Sequence, residues 1–126
     1  MWLRIIVPDA GAIGPGKIDL LRSIEKTQSI SAAARDLDMS YRRAWMLLDE
    51  TRRILGRDVI ATHAGGADRG GAALTEAGRN LIAVYDRVCT VAAKAAESEL
   101  QSLSFAGPGE GPPASAPRKK RKSKVS

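Results

Sequence analysis

Cysteine and histidine occur once each, at Cys89 and His63, and the aromatic residues are only Trp2, Tyr41, Trp45, Tyr85 and Phe105. A lone cysteine excludes an intramolecular disulfide and suits a reducing cytoplasm, the expected location. One histidine and one cysteine leave no second ligand of that kind, so neither a zinc site nor any other metal site or cofactor is expected. No apolar run approaches the roughly 20 residues of a membrane span. "WLRIIVP" is too short for a span or a cleavable signal, so no membrane contact is expected. No Ser/His/Asp or paired-carboxylate arrangement stands out, and the acidic residues are scattered over helical polar faces. Catalysis is not expected.

What is present is positive charge, unevenly placed. The 126 residues, one domain's worth of chain, hold 20 Lys and Arg against 14 Asp and Glu. Arg118, Lys119, Lys120, Arg121, Lys122 and Lys124 account for the whole net charge of +6, leaving a body of 14 against 14. The basic character is a property of the tail, and any partner of the body must be argued from where its charges lie.

Along the chain, "WLRIIV" over 2–7 is β-branched and apolar enough for a short strand ended by Pro8, and "DAGAIGPG" reads as a loop. Ile18, Leu21 and Ile24 give Lys17–Thr27 helical spacing, with Pro15 or Gly16 near its start. Ser29 or Ser31 caps a short helix through Leu37, whose Ala32, Ala33 and Ala34 admit a close neighbour. Asp38 and Met39 make a turn, and Ser40 caps a helix to about Leu55. On its wheel Tyr41, Ala44, Trp45, Leu47, Leu48, Ile54 and Leu55 share an apolar face. Arg42, Arg43, Met46, Asp49, Glu50 and Arg53 share the polar one. "DVIATH", a glycine-rich "AGGADRGG" and "AALT" predict a β-hairpin with a long tip. Thr75 caps a long helix to about Leu103, with Leu81, Val84, Tyr85, Val88, Val91, Ala92, Ala95 and Ala96 as its apolar stripe. From Gly107 the Gly, Pro, Ser and Lys/Arg content cannot bury a core, and disorder is expected.

Helix, short helix, tight turn, longer helix, hairpin, long helix is the order of a winged helix-turn-helix. The expected fold is mainly α with a small β-hairpin wing and a long C-terminal helix. The domains expected are 1–74 for the winged helix-turn-helix, 75–104 for the long helix and 105–126 for the tail. In this arrangement the helix after the turn enters the DNA major groove. Adjacent cations at a helix start repel the positive end of the helix dipole, so Arg42 and Arg43 point to something anionic outside the chain. Phosphates and guanine edges both suit the bidentate arginine fork. Ser40 and Tyr41 can add hydroxyl bonds to phosphates, Met46 shares the polar face, and Arg69 sits at the hairpin tip to follow the backbone or the minor groove.

"GKIDLLRSIEKTQSISAAARDLDMSYRRAWMLLDE" with "GGADRGGAALTEAGRNLIAVYDRV" resembles the N-terminal DNA-binding domain of molybdate-responsive ModE-type regulators, relatives of the LysR-type winged helices. The resemblance runs from about Leu3 to Val91, and "SISAAA", "MSYRRAW" and "GGAALTEAG" are its most specific parts. It implies a bacterial transcription regulator facing double-stranded DNA with Ser31, Ser40, Tyr41, Arg42 and Arg43. It also implies a homodimer through the long helix, with Leu81, Val84, Tyr85, Val88, Val91, Ala92 and Ala95 as the stripe. Two recognition helices would then meet successive major grooves about 34 Å apart on a roughly palindromic site. Two departures stand out. Family members carry C-terminal oxyanion-sensing domains for which this sequence leaves no room, so molybdate binding is not expected. Gln28 occupies a turn position where the family usually has glycine.

Plainer readings stand beside these. In isolation Arg42–Arg43 would be a solvated helix face, and it is the turn, the small-residue helix and the wing that favour DNA. Trp45 reads as core, and Cys89 as a small apolar filler. "GGADRGG" lacks the GK[ST] ending of a phosphate-cradling loop and leads into a strand. The "RKKRKSK" tail could be a nuclear-localisation-like signal, a non-specific DNA arm binding by counterion release, or a solubilising end. Two rival functions remain: an architectural protein coating DNA without sequence preference, and a protein-interaction module in which the helix-turn-helix is a relic.

Overall fold

Pro8 and Asp9 close the first chain reversal in a computed structural model that describes residues 3–63 and 71–103. Ala10 N donates to Val7 O at 3.0 Å, with Pro8 at the first central position and Asp9 at φ 62° at the second. This turn pairs β1 (Ile5–Val7) antiparallel with β2 (Gly11–Ile13), in the register Ile5↔Ile13, Ile6↔Ala12 and Val7↔Gly11. The stretch expected as a loop therefore holds a strand. Gly11 allows it on two counts: its φ is 144°, and a Cβ there would stand 2.9 Å from Ile54 Cδ1.

Helix α1 (Pro15–Thr27) begins with proline in its first turn, where no N–H is missed. It ends on Gln28 in the left-handed region at φ 57°, whose N–H donates to Ile24 O. Gln28 O in turn accepts from Ala72 N at 3.1 Å. Helix α2 (Ile30–Asp36) starts on Ser29, not Ser31: Ser29 Oγ accepts from Ala32 N at 3.0 Å. Its other end is a Schellman turn. Met39 N donates to Ala34 O and Asp38 N to Arg35 O, with Asp38 at φ 58°. Helix α3 (Tyr41–Leu55) follows at once, capped by Ser40 Oγ accepting from Arg43 N at 3.0 Å and stopped by left-handed Gly56.

Strands β3 (Ile60–His63) and β4 (Gly71–Leu74) pair antiparallel from Ile60↔Leu74 to His63↔Gly71. Helix α4 (Glu76–Leu100) begins at Thr75, whose Oγ1 accepts from Gly78 N at 3.1 Å and donates to Asp58 O at 2.7 Å. A Cβ on Gly78 would run into Val59 O, so the absent side chain lets α4 seat directly on the residue that leads into β3.

The main core joins Leu20, Leu21 and Ile24 of α1, Ala33 and Ala34 of α2, Ala44, Leu47 and Leu48 of α3, and Val59, Ala72, Leu74 and Ile82. Burying apolar surface of this kind is worth about 25 cal/mol per Å2. A second cluster of Ile13, Ile18 and Tyr85, with Leu3, Ile5 and Ile54 against it, sits under the first hairpin. Two polar side chains enter the interior with their bonds made. Thr51 donates to Leu47 O at 2.7 Å, and Ser23 donates to Asp36 Oδ2 at 3.1 Å. The described chain divides into two compact units, one through Lys94 and one from Ala95. In the second, Gln101 N donates to Glu97 O, and Leu100 and Leu103 are exposed.

Candidate nucleic-acid interface

The turn between α2 and α3 takes only four residues, Leu37 to Ser40, and both of its ends are fixed by hydrogen bonds. The first turn of α3 is therefore presented at a set angle. Tyr41, Arg42, Arg43 and Met46 are all exposed, as is Ser40 beside them. Among the described residues neither Arg42 nor Arg43 is in an ion pair. At about 100° per residue, the buried arc of α3 is centred between Ala44 and Thr51, and Arg42 points almost directly away from it. Arg43 lies on one flank, on the side of Glu50, which pairs with Lys17 of α1 at 3.1 Å. Ser31 is also exposed and, because Ser29 makes the cap, its hydroxyl is not spent on the helix start.

The opposite flank corrects the sequence reading. Tyr41 and Trp45, placed above on the apolar face, are 54% and 39% exposed, and Leu55 lies at the margin of exposure. Their rings meet edge to face with centroids 6.3 Å apart. The core takes a narrower arc than apolarity suggested, with Thr51 at its centre. Trp45 instead borders an open groove of about 440 Å3 between α3 and the first wing strand, shared with Asp49, Arg52, Ala61 and Thr62. The spacing of Trp45 four residues after an exposed Tyr41 was the signal that could have found it.

Farther along α3, Asp49 accepts from Arg52 Nη2 at 2.8 Å and from Arg53 Nε at 3.2 Å. The Arg52 hydrogen bond holds the Asp49 carboxyl below the usual carboxylate range. His63 is folded over its cross-strand partner Gly71, where a Cβ would come within 2.5 Å of Nε2. Among the described residues no group of three or more His, Cys, Asp or Glu is arranged to hold a metal. No helix among them is long and apolar enough to cross a membrane. Arg69 and the tail lie outside the described residues.

On α4 the expected stripe divides in two. Tyr85 is 5% exposed and belongs to the interior: its hydroxyl donates to Leu3 O at 2.5 Å and accepts from Leu3 N at 3.2 Å. It is not available to a partner helix. Leu81 is half-buried against both core clusters, and Ala92 is half-buried. Val84, Val88 and Val91 face outward, as does Ala95 in its own unit.

No family model matches the chain. It is 38% identical over 102 residues to the molybdenum-pterin-binding protein MopB of Rhodobacter capsulatus, covering 80% of this chain and 38% of that protein. It is 36% identical over 81 residues to the DNA-binding transcriptional dual regulator ModE of Escherichia coli, covering 64% of this chain and 31% of that protein. The chain thus spans about a third of the length of the curated relatives it matches. Its fold is similar to that of the CbnR DNA-binding domain, solved as a DNA complex, with a TM-score of 0.51 at 17% identity, covering 69% of this chain and 94% of that one. With the element order and the turn geometry described above, these likenesses show the fold: the chain carries a winged helix-turn-helix, over a region similar in sequence to ModE.

Proposed function

We propose that this chain binds double-stranded DNA as a homodimer and regulates transcription at a specific site, with α3 in the major groove. The observation that carries the reading is the first turn of α3, where two arginines with no ion-pair partner among the described residues stand beside a helix start already capped by Ser40. The dipole end disfavours them there, and an external anion offsets that cost. Arg42 points outward to a base edge or phosphate, and Arg43 and the Ser31 hydroxyl take flanking phosphates. Ser40 accepts a bond from the backbone in its capping role, yet its O–H can still donate to a phosphate oxygen. Tyr41, Trp45 and Met46 supply apolar contact to sugars and thymine methyls. Val84, Val88 and Val91 form the dimer contact. The relatives named for DNA binding and transcriptional regulation support this reading, and sensing of molybdate is not part of it.

The test is selection of bound sequences from a random duplex library with the full chain at near-physiological salt. Enrichment of one motif with two-fold symmetry is expected. Retention without preference would favour the architectural alternative, in which the basic tail and the wing supply most of the affinity. No retention would favour the interaction module.

A further inference from the structure

The DNA-facing side of α3 is not uniformly positive, and the position of Asp49, the carboxylate that pairs within the helix itself, is informative. Asp49 lies seven residues and about 10 Å along the axis from Arg42, on nearly the same outward line. A carboxylate there faces whatever Arg42 faces. It is also the acceptor for both cations of the next turn, Arg52 at 2.8 Å and Arg53 at 3.2 Å. All three side chains are about half exposed or more. Exposed pairs of this kind contribute little to stability, so folding energy does not explain the arrangement. The spacings i,i+3 and i,i+4 are ordinary for a helix, and cations suit its last turn. What those generalities leave open is the consequence for charge. Of the four arginines on α3, the pair in the first turn meets no carboxylate among the described residues, and the pair in the last turn is held by one.

We propose that Asp49 is a specificity residue of α3: by holding Arg52 and Arg53 it withholds them from phosphates, so that the helix engages DNA mainly through its first turn. The proposal rests on the DNA-binding reading above. A helix with four free arginines would gain affinity for any duplex through counterion release, and sequence discrimination would fall because that gain is shared by all sites. The Asp49 carboxylate adds repulsion toward phosphates of a misplaced backbone. The groove bordered by Trp45 and Arg52 lies on the same flank, so a released Arg52 can reach a strand passing between α3 and the wing.

The experiment compares the full-length wild type, Asp49→Ala, Asp49→Asn and the triple variant Asp49→Ala/Arg52→Ala/Arg53→Ala. Each is titrated onto the selected site and onto scrambled duplex at several salt concentrations. Both single variants are expected to bind scrambled duplex more tightly, with a log–log salt slope steeper by about 1 to 2, and to lose specific-to-nonspecific ratio. The triple variant is expected to return the slope on scrambled duplex to the wild-type value or below. That return separates released arginines from a general disturbance of the helix. Unchanged slopes in the single variants overturn the proposal while leaving DNA binding itself intact. So does a triple variant as steep as Asp49→Ala. Loss of specific affinity alone would instead make Asp49 a base reader, of cytosine by its acceptor chemistry, and also overturns it. Absence of binding by the wild type to every duplex removes the DNA reading and this proposal with it.

Discussion

Arg42 and Arg43 are adjacent in sequence but face different surroundings, and separate substitutions should separate their roles. Arg42 stands opposite the buried arc of α3, whereas Arg43 lies on the flank toward Glu50. Arg42→Ala is expected to cost about 1–3 kcal/mol on the selected site and to relax preference at one base position. Arg43→Ala is expected to weaken all duplexes alike and lower the salt slope by about 1. Affinity unchanged in both variants would remove α3 from the interface. A second residue-scale expectation concerns Gln28, whose φ of 57° places a side chain where the left-handed region penalises a Cβ by about 1 kcal/mol. Its long-range backbone bond, Gln28 O accepting from Ala72 N, survives substitution. Gln28→Gly should therefore stabilise the domain, by less than that penalty because glycine also loosens the unfolded chain. Urea unfolding should show a higher midpoint at constant slope, and a lower midpoint would refute the account.

At the scale of elements, the helices were readable because each carries its own punctuation: Pro15, Ser29, Ser40, Gly56 and Thr75 stand where the chain starts or stops them. The β1–β2 hairpin was not. Three-residue strands are too short for alternation to register, and the pairing is made by a turn and by the fit of Gly11 against Ile54. Tyr85 was misplaced for a related reason. A helical wheel ranks residues by apolarity, while the structure selects Tyr85 because its hydroxyl closes on the backbone of Leu3 and ties the first hairpin to α4. That tie has a pH signature. Burial, more than any neighbouring group, pushes the Tyr85 phenol above the ordinary tyrosine range. The unfolded chain then releases this proton first, so the contribution of Tyr85 is fully present below about pH 10 and is lost as pH rises through the folded-state value. Thermal midpoints measured from pH 8 to 11 should fall more steeply for the wild type than for Tyr85→Phe. The variant should start lower, by about 1 kcal/mol for the lost hydrogen bond. Parallel curves would show that Tyr85 does not carry the dependence.

At the scale of the whole molecule, Arg42 and Arg43 stood out in the sequence as candidates because cations at a helix start have no local use. Trp45 escaped because its apolarity matched the core, and Thr51 because its polarity did not. The remaining element of the proposed assembly is the outward side of α4. Val84, Val88 and Val91 repeat at i, i+4 and i+7, and Val91 is 66% exposed. Three β-branched apolar residues on one line of a solvent-facing helix gain nothing for the single chain and suit the seam of a second helix. In an isologous contact each substitution acts twice. Val88→Asp should therefore remove two valine burials, about 3 kcal/mol together, and add two carboxylates that would have to lose their hydration. Sedimentation equilibrium should show dissociation at concentrations where the wild type is dimeric. Binding to the two-fold site should fall toward that of a half-site, with melting of the domain little changed. Tyr85→Phe supplies the contrast: its side chain is committed inside the chain, so it should alter stability and leave association as it was. Wild-type association in Val88→Asp would place the dimer contact elsewhere. Unaltered binding to the two-fold site by a demonstrably monomeric variant would show that each winged helix reads its half-site alone.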